Sequence, residues 1–376
     1  MLAALRQYTI LHTIEGGGPG GAETVLFQLA SNLDPSRFRS LVLLSSDDWL
    51  RKQLVAQRIR TILVDSRSWY DFRLPRAMTK LIRQEKVDLI HSHLPDQNFY
   101  GCLAARLTAR KIIVTYHGTP GLFTKARLRS AIKRWTVRNV ATSVVVVSDF
   151  LRRLLEDSGF PAQKIVRIYN GVNMNLFVPG ASGRLRKELG LAENARLIGM
   201  VANLRESKGY EYFVQAARQV ADCIPEARFL AVGERDEGIA KHLESLLLRL
   251  NLADRFFLLG FRPDVAEILN DLDVFVLSSV SEGLSIATIE AMAVGKPVVI
   301  TRSGGPEEVV EDGHTGVLVP PADPKSLASK ICDLLRNPEL AATLSRNARA
   351  EVESKFSLTK MVEEYESLYE RCLSSA

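Results

Sequence analysis

A chain of 376 residues, 46% hydrophobic and 24% charged, exceeds what one hydrophobic core organises and is expected to fold as two domains without a disordered tract. Its four cysteines, Cys102, Cys223, Cys332 and Cys372, stand far apart with no CxxC pair, which excludes a disulfide framework and a cysteine zinc site and suits a reducing compartment. The net charge of +6 conceals an asymmetry, because residues 1–170 carry 26 Lys+Arg against 13 Asp+Glu and the remainder 23 against 30. The first half therefore suits an anionic membrane, a phosphorylated substrate or nucleic acid, unless the charge only solvates its surface.

The opening stretch MLAALRQYTILHTIEGGG is interrupted by Arg6 and Tyr8 and runs into glycines, which reads as a first strand and not a signal peptide. No stretch approaches the roughly 20 apolar residues of a membrane span. The loop EGGGPGGAET then supplies five glycines between Gly16 and Gly21, so the backbone at Gly20 and Gly21 can approach a ligand; a merely flexible turn is the alternative. It is not a GxGxxG, and no Walker A lysine or ribose-binding acid follows at the usual spacing, which disfavours a dehydrogenase or an ATPase.

Further along, SLVLLS, TILVD, DLIHSH, KIIVTYHG and SVVVVS alternate with helical patterns, predicting a parallel sheet covered on both faces. In IHSHLPD, His91 and His93 share one side of a strand with Asp96 nearby. With no further ligand cluster in the sequence, a polar cleft edge is expected there in preference to a metal site. Residues 122–139 carry six cations, Lys125, Arg127, Arg129, Lys133, Arg134 and Arg138, and no acid, with Leu128, Ile132 and Trp135 at helical spacing. Such a helix either lies on anionic lipid or packs its apolar stripe on its own sheet.

NGVNMNLFVPGASGR breaks the periodicity and marks a join over 171–184. A second set of strand runs follows, RLIGMVANL, RFLAVGE, RFFLLGF, DVFVLSS, KPVVIT and TGVLVPP. Two doubly wound domains, 1–170 and 185–356, are therefore expected to face each other across a cleft, with a terminal amphipathic helix over 357–376. In NLRESKG, Arg205 and Lys208 lie in a strand-to-helix turn, where a planar fork and a point charge can neutralise a diphosphate or remain ordinary solvated cations. In SEGLSIATIEAMAVGKPVV, Glu282 precedes an apolar helix and Glu290 lies inside it, where an unpaired carboxylate is costly to bury. Either the helix is capped with Glu290 in a salt bridge, or both carboxylates accept from ligand hydroxyls while the amides around Gly283, Leu284 and Ser285 meet phosphate.

The ordered set GGAE, YHG, NGV, NLRESKG, EGLSIATIEAMAVGKPVV and GHTGVLVPP resembles the retaining glycosyltransferase family 4, with its GT-B fold of two Rossmann-like α/β domains, over nearly the whole chain. The most specific element is the acid-x7-acid pair Glu282 and Glu290; Asn203 stands where many members carry arginine, and the arginine follows at 205. The resemblance implies transfer of a sugar from a nucleotide diphosphate donor to a hydroxyl acceptor with retention of configuration. It assigns Arg205 and Lys208 to the diphosphate, Glu290 to the ribose, Glu282 to the donor sugar, and Gly20 and Gly21 to the phosphates and sugar. His117 of YHG falls near the reacting carbon, and the backbone around Phe261 and Arg262 is expected at the base. No metal, cofactor or enzymic nucleophile is implied, since cations and helix amides can stabilise the leaving diphosphate.

A non-catalytic sugar-nucleotide-binding protein, an epimerase or a phosphorylase on the same fold would lack this combination or require signatures that are missing. Nucleic acid is not expected, because no recognition module or cation–aromatic interleaving appears. A lipid-linked or anionic acceptor and a cytoplasmic position, peripheral on the cytoplasmic membrane face, complete the expectation.

Overall fold

The computed structural model describes residues 6–16, 18–64, 73–118, 127–180 and 182–374. They divide into two compact units, Met1–Asn170 with Thr359–Ala376, and Gly171–Leu358. The first holds a seven-stranded parallel sheet of β1 (Tyr8–Ile14), β2 (Phe38–Leu44), β3 (Arg60–Leu63), β4 (Leu89–His93), β5 (Lys111–Tyr116), β6 (Ser143–Val146) and β7 (Ile165–Arg167), in the order β3-β2-β1-β4-β5-β6-β7. β4 is buried along its whole length, as a parallel strand covered by helices on both faces must be.

The second unit holds β8 (Arg196–Val201), β9 (Ala227–Val232), β10 (Phe256–Leu258), β11 (Val274–Leu277), β12 (Val298–Thr301) and β13 (Val317–Val319), in the order β10-β9-β8-β11-β12-β13. Phe213, Phe229 and Phe256 form its aromatic core, with ring centroids 5.2 to 6.2 Å apart. In both sheets the strand order reverses beside the first strand, between β1 and β4 and between β8 and β11. Helices leave to opposite faces at such a point, and the carboxyl ends of the strands open a crevice where ligands bind.

The segment expected to join the domains is built into the second unit. Gly180 N–H donates to Asn270 at 2.8 Å, and the amides of Gly183 and Leu185 donate to the buried Asp271 carboxylate at 2.8 and 2.9 Å. That carboxylate satisfies amides at the start of the helix Arg184–Glu188, which explains why a polar, glycine-rich stretch is held in place. Helix Leu358–Ser374 returns to the first unit, where Met361, Tyr365, Leu368 and Tyr369 are fully buried. Glu366 pairs with Arg37 at 2.9 Å, and Lys111 donates to the Cys372 carbonyl at 2.8 Å. Burying four such side chains contributes several kcal/mol, at about 1.5–3 kcal/mol each.

Candidate functional site

The best-defined cluster lies at the switch point of the second sheet. After β8 the chain makes a single turn of 3-10 helix, Glu206–Lys208, and then Gly209 at φ 61°. A Cβ at Gly209 would lie 2.3 Å from the carbonyl oxygen of Ser278, so only glycine lets this turn press against the end of β11. Ser278 Oγ donates to the Lys208 carbonyl at 3.0 Å, and Val280 N–H to that of Ser207 at 2.8 Å. The junction brings Lys208 Nζ onto the Glu282 carboxylate, which also accepts from Ser279 Oγ at 3.3 Å. Arg205, at the start of the same turn, is exposed and forms no ion pair among the described residues.

Glu282 is fixed by its backbone, with its N–H on the Ser303 carbonyl at 2.9 Å and its carbonyl accepting from Gly305 N–H at 3.0 Å. Gly283 and Leu284 are buried, and Ser285 caps helix Ile286–Ala293 by accepting from Thr288 N–H at 3.2 Å. Glu290 sits one helical turn further on. Its carboxyl has neither a hydrogen-bond nor an ion-pair partner among the described residues, and desolvation pushes it up to about 8. The salt-bridged alternative for Glu290 is therefore not what the fold adopts.

Phe261, beyond β10, is 44% exposed. The Arg262 guanidinium is committed on both sides, to Asp264 at 2.8 and 2.7 Å and to Glu188 at 2.5 and 3.0 Å. Any contact of position 262 with a ligand thus falls to its backbone.

In the first unit Gly20 stands before helix Gly21–Asn32 in extended conformation, and no side chain caps that helix. A Cβ at Gly20 would meet the Glu23 carboxylate at 2.3 Å, so the acid folds back over the glycine. His117 follows β5 directly and its Nε2 lies 2.9 Å from His93 Nδ1.

His91 and His93 do not form the polar cleft edge expected of them: both are wholly buried, together with His12. His12 pairs in register with His91, so the three imidazoles share one face of the sheet. One nitrogen of each lies within 4.8 Å of the others. His91 already bonds Tyr369 Oη at 2.6 Å and Thr115 Oγ1 at 2.8 Å. A metal ion bound there through His91 would have to displace one of these two hydrogen bonds.

Helix Arg127–Val140 does not pack its apolar stripe on its own sheet. Ser130, Thr136 and Val137 are buried, and Arg129 and Lys133 turn inward to the Asp96 carboxylate. Leu128, Ile132 and Trp135 are left outside at 77%, 49% and 67% exposure. Residues 122–126 of the basic segment, including Lys125, lie outside the described residues. Among the described residues no helix is long and apolar enough to cross a membrane.

Residues 182–351 match the family model for glycosyl transferases group 1, and residues 19–176 match that for glycosyltransferase family 4. The chain belongs to glycosyltransferase family 4. It is 29% identical over 305 residues to N-acetyl-alpha-D-glucosaminyl L-malate synthase of Bacillus anthracis, covering 80% of this chain and 79% of that protein. It is 28% identical over 303 residues to UDP-Gal:alpha-D-GlcNAc-diphosphoundecaprenol alpha-1,3-galactosyltransferase of Escherichia coli, covering 78% of each. Among solved structures, Anabaena Alr3699/HepE in complex with UDP and glucose is similar at a TM-score of 0.88 and 26% identity, over 97% of this chain and 100% of that one. The chain is accordingly a GT-B glycosyltransferase.

One part of this glycosyltransferase escaped the sequence reading. The loop Ser303-Gly304-Gly305-Pro306 after β12 braces Glu282, and a Cβ at Gly305 would lie 1.8 Å from the Gly283 carbonyl. The signal was present as a glycine pair directly after a strand run, the usual mark of one backbone pressing on another.

Proposed function

We propose that this glycosyltransferase moves a sugar, with retention of configuration, from a nucleoside diphosphate donor to a hydroxyl of a lipid-linked or anionic acceptor, in the synthesis of a cell-surface polysaccharide, lipopolysaccharide or glycolipid. The observation that carries the reading is the Lys208–Glu282 pair at the β8/β11 switch point, with Arg205 beside it and Glu290 one element away, neither of them in an ion pair among the described residues. In the ligand-free protein Lys208 is neutralised by Glu282. A donor separates the two: its diphosphate takes Lys208 and Arg205, its sugar hydroxyls take Glu282, and its ribose hydroxyls take Glu290. Ligand charge thus replaces protein charge without leaving either side chain alone.

As the bond to the diphosphate breaks, negative charge grows on the leaving oxygens and positive charge on the sugar carbon. Arg205, Lys208 and the amides at Leu284 and Ser285 stabilise the first, and no protein nucleophile is assigned to the second. Transfer proceeds without a metal, since two cations and helix amides supply the positive field. His117, Gly20 and Gly21 are assigned to the donor sugar and phosphates by the family pattern, and the backbone at Phe261 and Arg262 to the base. A uridine diphosphate sugar is the first donor to try, because similar structures hold UDP, UDP-glucose or UDP with glucose.

The acceptor is met at a membrane. The exposed Leu128, Ile132 and Trp135 form an apolar patch on the unit whose first 170 residues carry the cationic excess, the pairing that draws a protein onto an anionic leaflet. That chemistry and the free thiols support a position on the cytoplasmic face. The relatives named for diphosphoundecaprenol-linked substrates, in Escherichia coli and Campylobacter jejuni, give the acceptor class the same direction. The test is release of nucleoside diphosphate from a panel of sugar nucleotides, with and without polyprenyl diphosphate-linked sugars, in excess EDTA. One donor turning over in EDTA, faster with the lipid-linked acceptor, is the expected result. Turnover that vanished in EDTA and returned with Mg²⁺ or Mn²⁺ would overturn the metal-free mechanism, and indifference to the acceptor would overturn the lipid assignment.

A further inference from the structure

We propose that His93 is a positioning residue that fixes the tautomer of His117, so that His117 offers an Nδ1–H hydrogen-bond donor, and not a base, to the donor sugar. The inference deepens the donor-binding reading above and rests on it for its catalytic consequence.

The two rings meet through His93 Nδ1 and His117 Nε2 at 2.9 Å, and they are nearly parallel, 23° apart. Burial holds the imidazoles of His12, His91, His93 and His117 below their ordinary value, His117 at about 4. Both rings are therefore neutral at pH 7, and the bond between them contains one proton. If His117 donated it, His93 would carry its own proton on Nε2, which is buried and has no partner. If His93 donates, its Nε2 is a bare acceptor.

An orphaned buried N–H is rarer than an under-satisfied acceptor, and this pocket already contains one: His12, neutral and unpartnered at both nitrogens, must carry an N–H. A second orphan donor on the neighbouring ring would add the desolvation cost of another unmade hydrogen bond, so the proton belongs on His93 Nδ1. His117 Nε2 then accepts, and a neutral imidazole whose Nε2 accepts carries its proton on Nδ1.

The rest of the cluster holds His93 in place. The His91 ring lies against it, with centroids 4.2 Å apart, and is itself pinned from two sides by Tyr369 of the terminal helix and by Thr115 of β5. His93 consequently cannot turn to exchange its two nitrogens without displacing His91. The terminal helix, far from His117 in sequence, thereby orders a residue assigned to the reacting sugar.

The direct test is the ¹⁵N spectrum of histidine-labelled protein, with the six rings assigned from single His→Gln variants. A protonated Nδ1 and a bare Nε2 at His117 are expected in the wild type. The opposite pattern would overturn the proposal, as would a stoichiometric metal ion retained by His12, His91 and His93. Turnover supplies the second readout. His93→Asn keeps an N–H donor near the position of Nδ1 and is expected to retain kcat within about threefold, whereas His93→Phe loses on the order of 10-fold in kcat with little change in donor KM.

His93→Asp accepts where His93 donates. It should invert the His117 tautomer and, as a carboxylate beside an imidazole, move the acid limb of the pH–kcat profile upward from about 4. Equal losses for Asn and Phe with an unmoved acid limb would reduce His93 to a packing role. The spectrum is read without substrate, so it stands or falls separately from the donor assignment, which rests on Arg205, Lys208, Glu282 and Glu290.

Discussion

Replacing Glu290 by glutamine is expected to stabilise the ligand-free enzyme above neutral pH while weakening its hold on nucleotide. The carboxyl is raised from 4.5 to about 8 by desolvation alone. The folded protein therefore keeps this proton to higher pH than the unfolded chain does, and folding loses stability as pH rises. The loss is near zero below 4.5, grows between 4.5 and about 8, and is constant above. Taken in full, that interval corresponds to about 5 kcal/mol, at 1.36 kcal/mol for each pH unit. The side chain retains some contact with water, and screening reduces the effect to about 2 kcal/mol.

Glutamine keeps the shape and removes the ionisation. Calorimetric melting of Glu290→Gln against wild type should show a gain of about 4–8 °C at pH 8.5 that disappears at pH 5. Titration with UDP supplies the functional half. Ribose hydroxyls donating to the carboxylate favour its charged form, so wild-type affinity should rise about tenfold from pH 6 to pH 8 as the proton leaves. Glu290→Gln should bind more weakly and without that slope. A variant no more stable than wild type at pH 8.5, or one with the same pH slope for UDP, would refute the desolvated-carboxyl argument.

Arg205→Ala and Lys208→Ala should each lower kcat on the order of 10²-fold, the first with its melting temperature little changed and the second with a lower one, because it leaves the Glu282 carboxylate unpaired; wild-type turnover in either folded variant would remove it from the diphosphate. Glu282→Gln should abolish most transfer yet tighten UDP binding in calorimetry, because Lys208 no longer has a protein carboxylate to leave; weaker UDP binding would place Glu282 at the nucleotide instead. Ile132→Ser with Trp135→Ser should reduce co-sedimentation with anionic vesicles on the order of 10²-fold, two exposed side chains at about 1.5 kcal/mol each; binding unaffected by these changes and by salt would reject the membrane patch.

The architecture was legible because parallel strands buried on both faces leave continuous β-branched runs, which is why twelve of the thirteen strands among the described residues coincide with runs such as VVIT and VFVL. The short β7, Ile165–Arg167, was missed: it was not separated from the polar stretch that follows it at Asn170. The join over 171–184 begins where the two units divide, but its packing was not legible. Glycine, proline and serine record the absence of a repeating element, not the absence of packing, and Asp271, 86 residues beyond Leu185, supplies the hydrogen bonds that hold the segment. In the site, the acid-x7-acid spacing located Glu282 and Glu290, but the ion pair of Lys208 with Glu282 spans 74 residues and exists only once Gly209 presses one strand end against another.

The helix Arg127–Val140 shows where periodicity stops being informative. A stripe of Leu128, Ile132 and Trp135 tells that one face differs from the other, and burial of the apolar face is the usual outcome because it removes the most hydrocarbon from water. Here the opposite face is held by the Asp96 carboxylate, which draws Arg129 and Lys133 inward, while Ser130 and Val137 are small enough for close approach. With these residues turned in, a helix of 3.6 residues per turn has no choice but to turn the stripe out. Three large apolar side chains are left exposed on the cationic unit, and the anionic leaflet proposed above is a surface that would cover them.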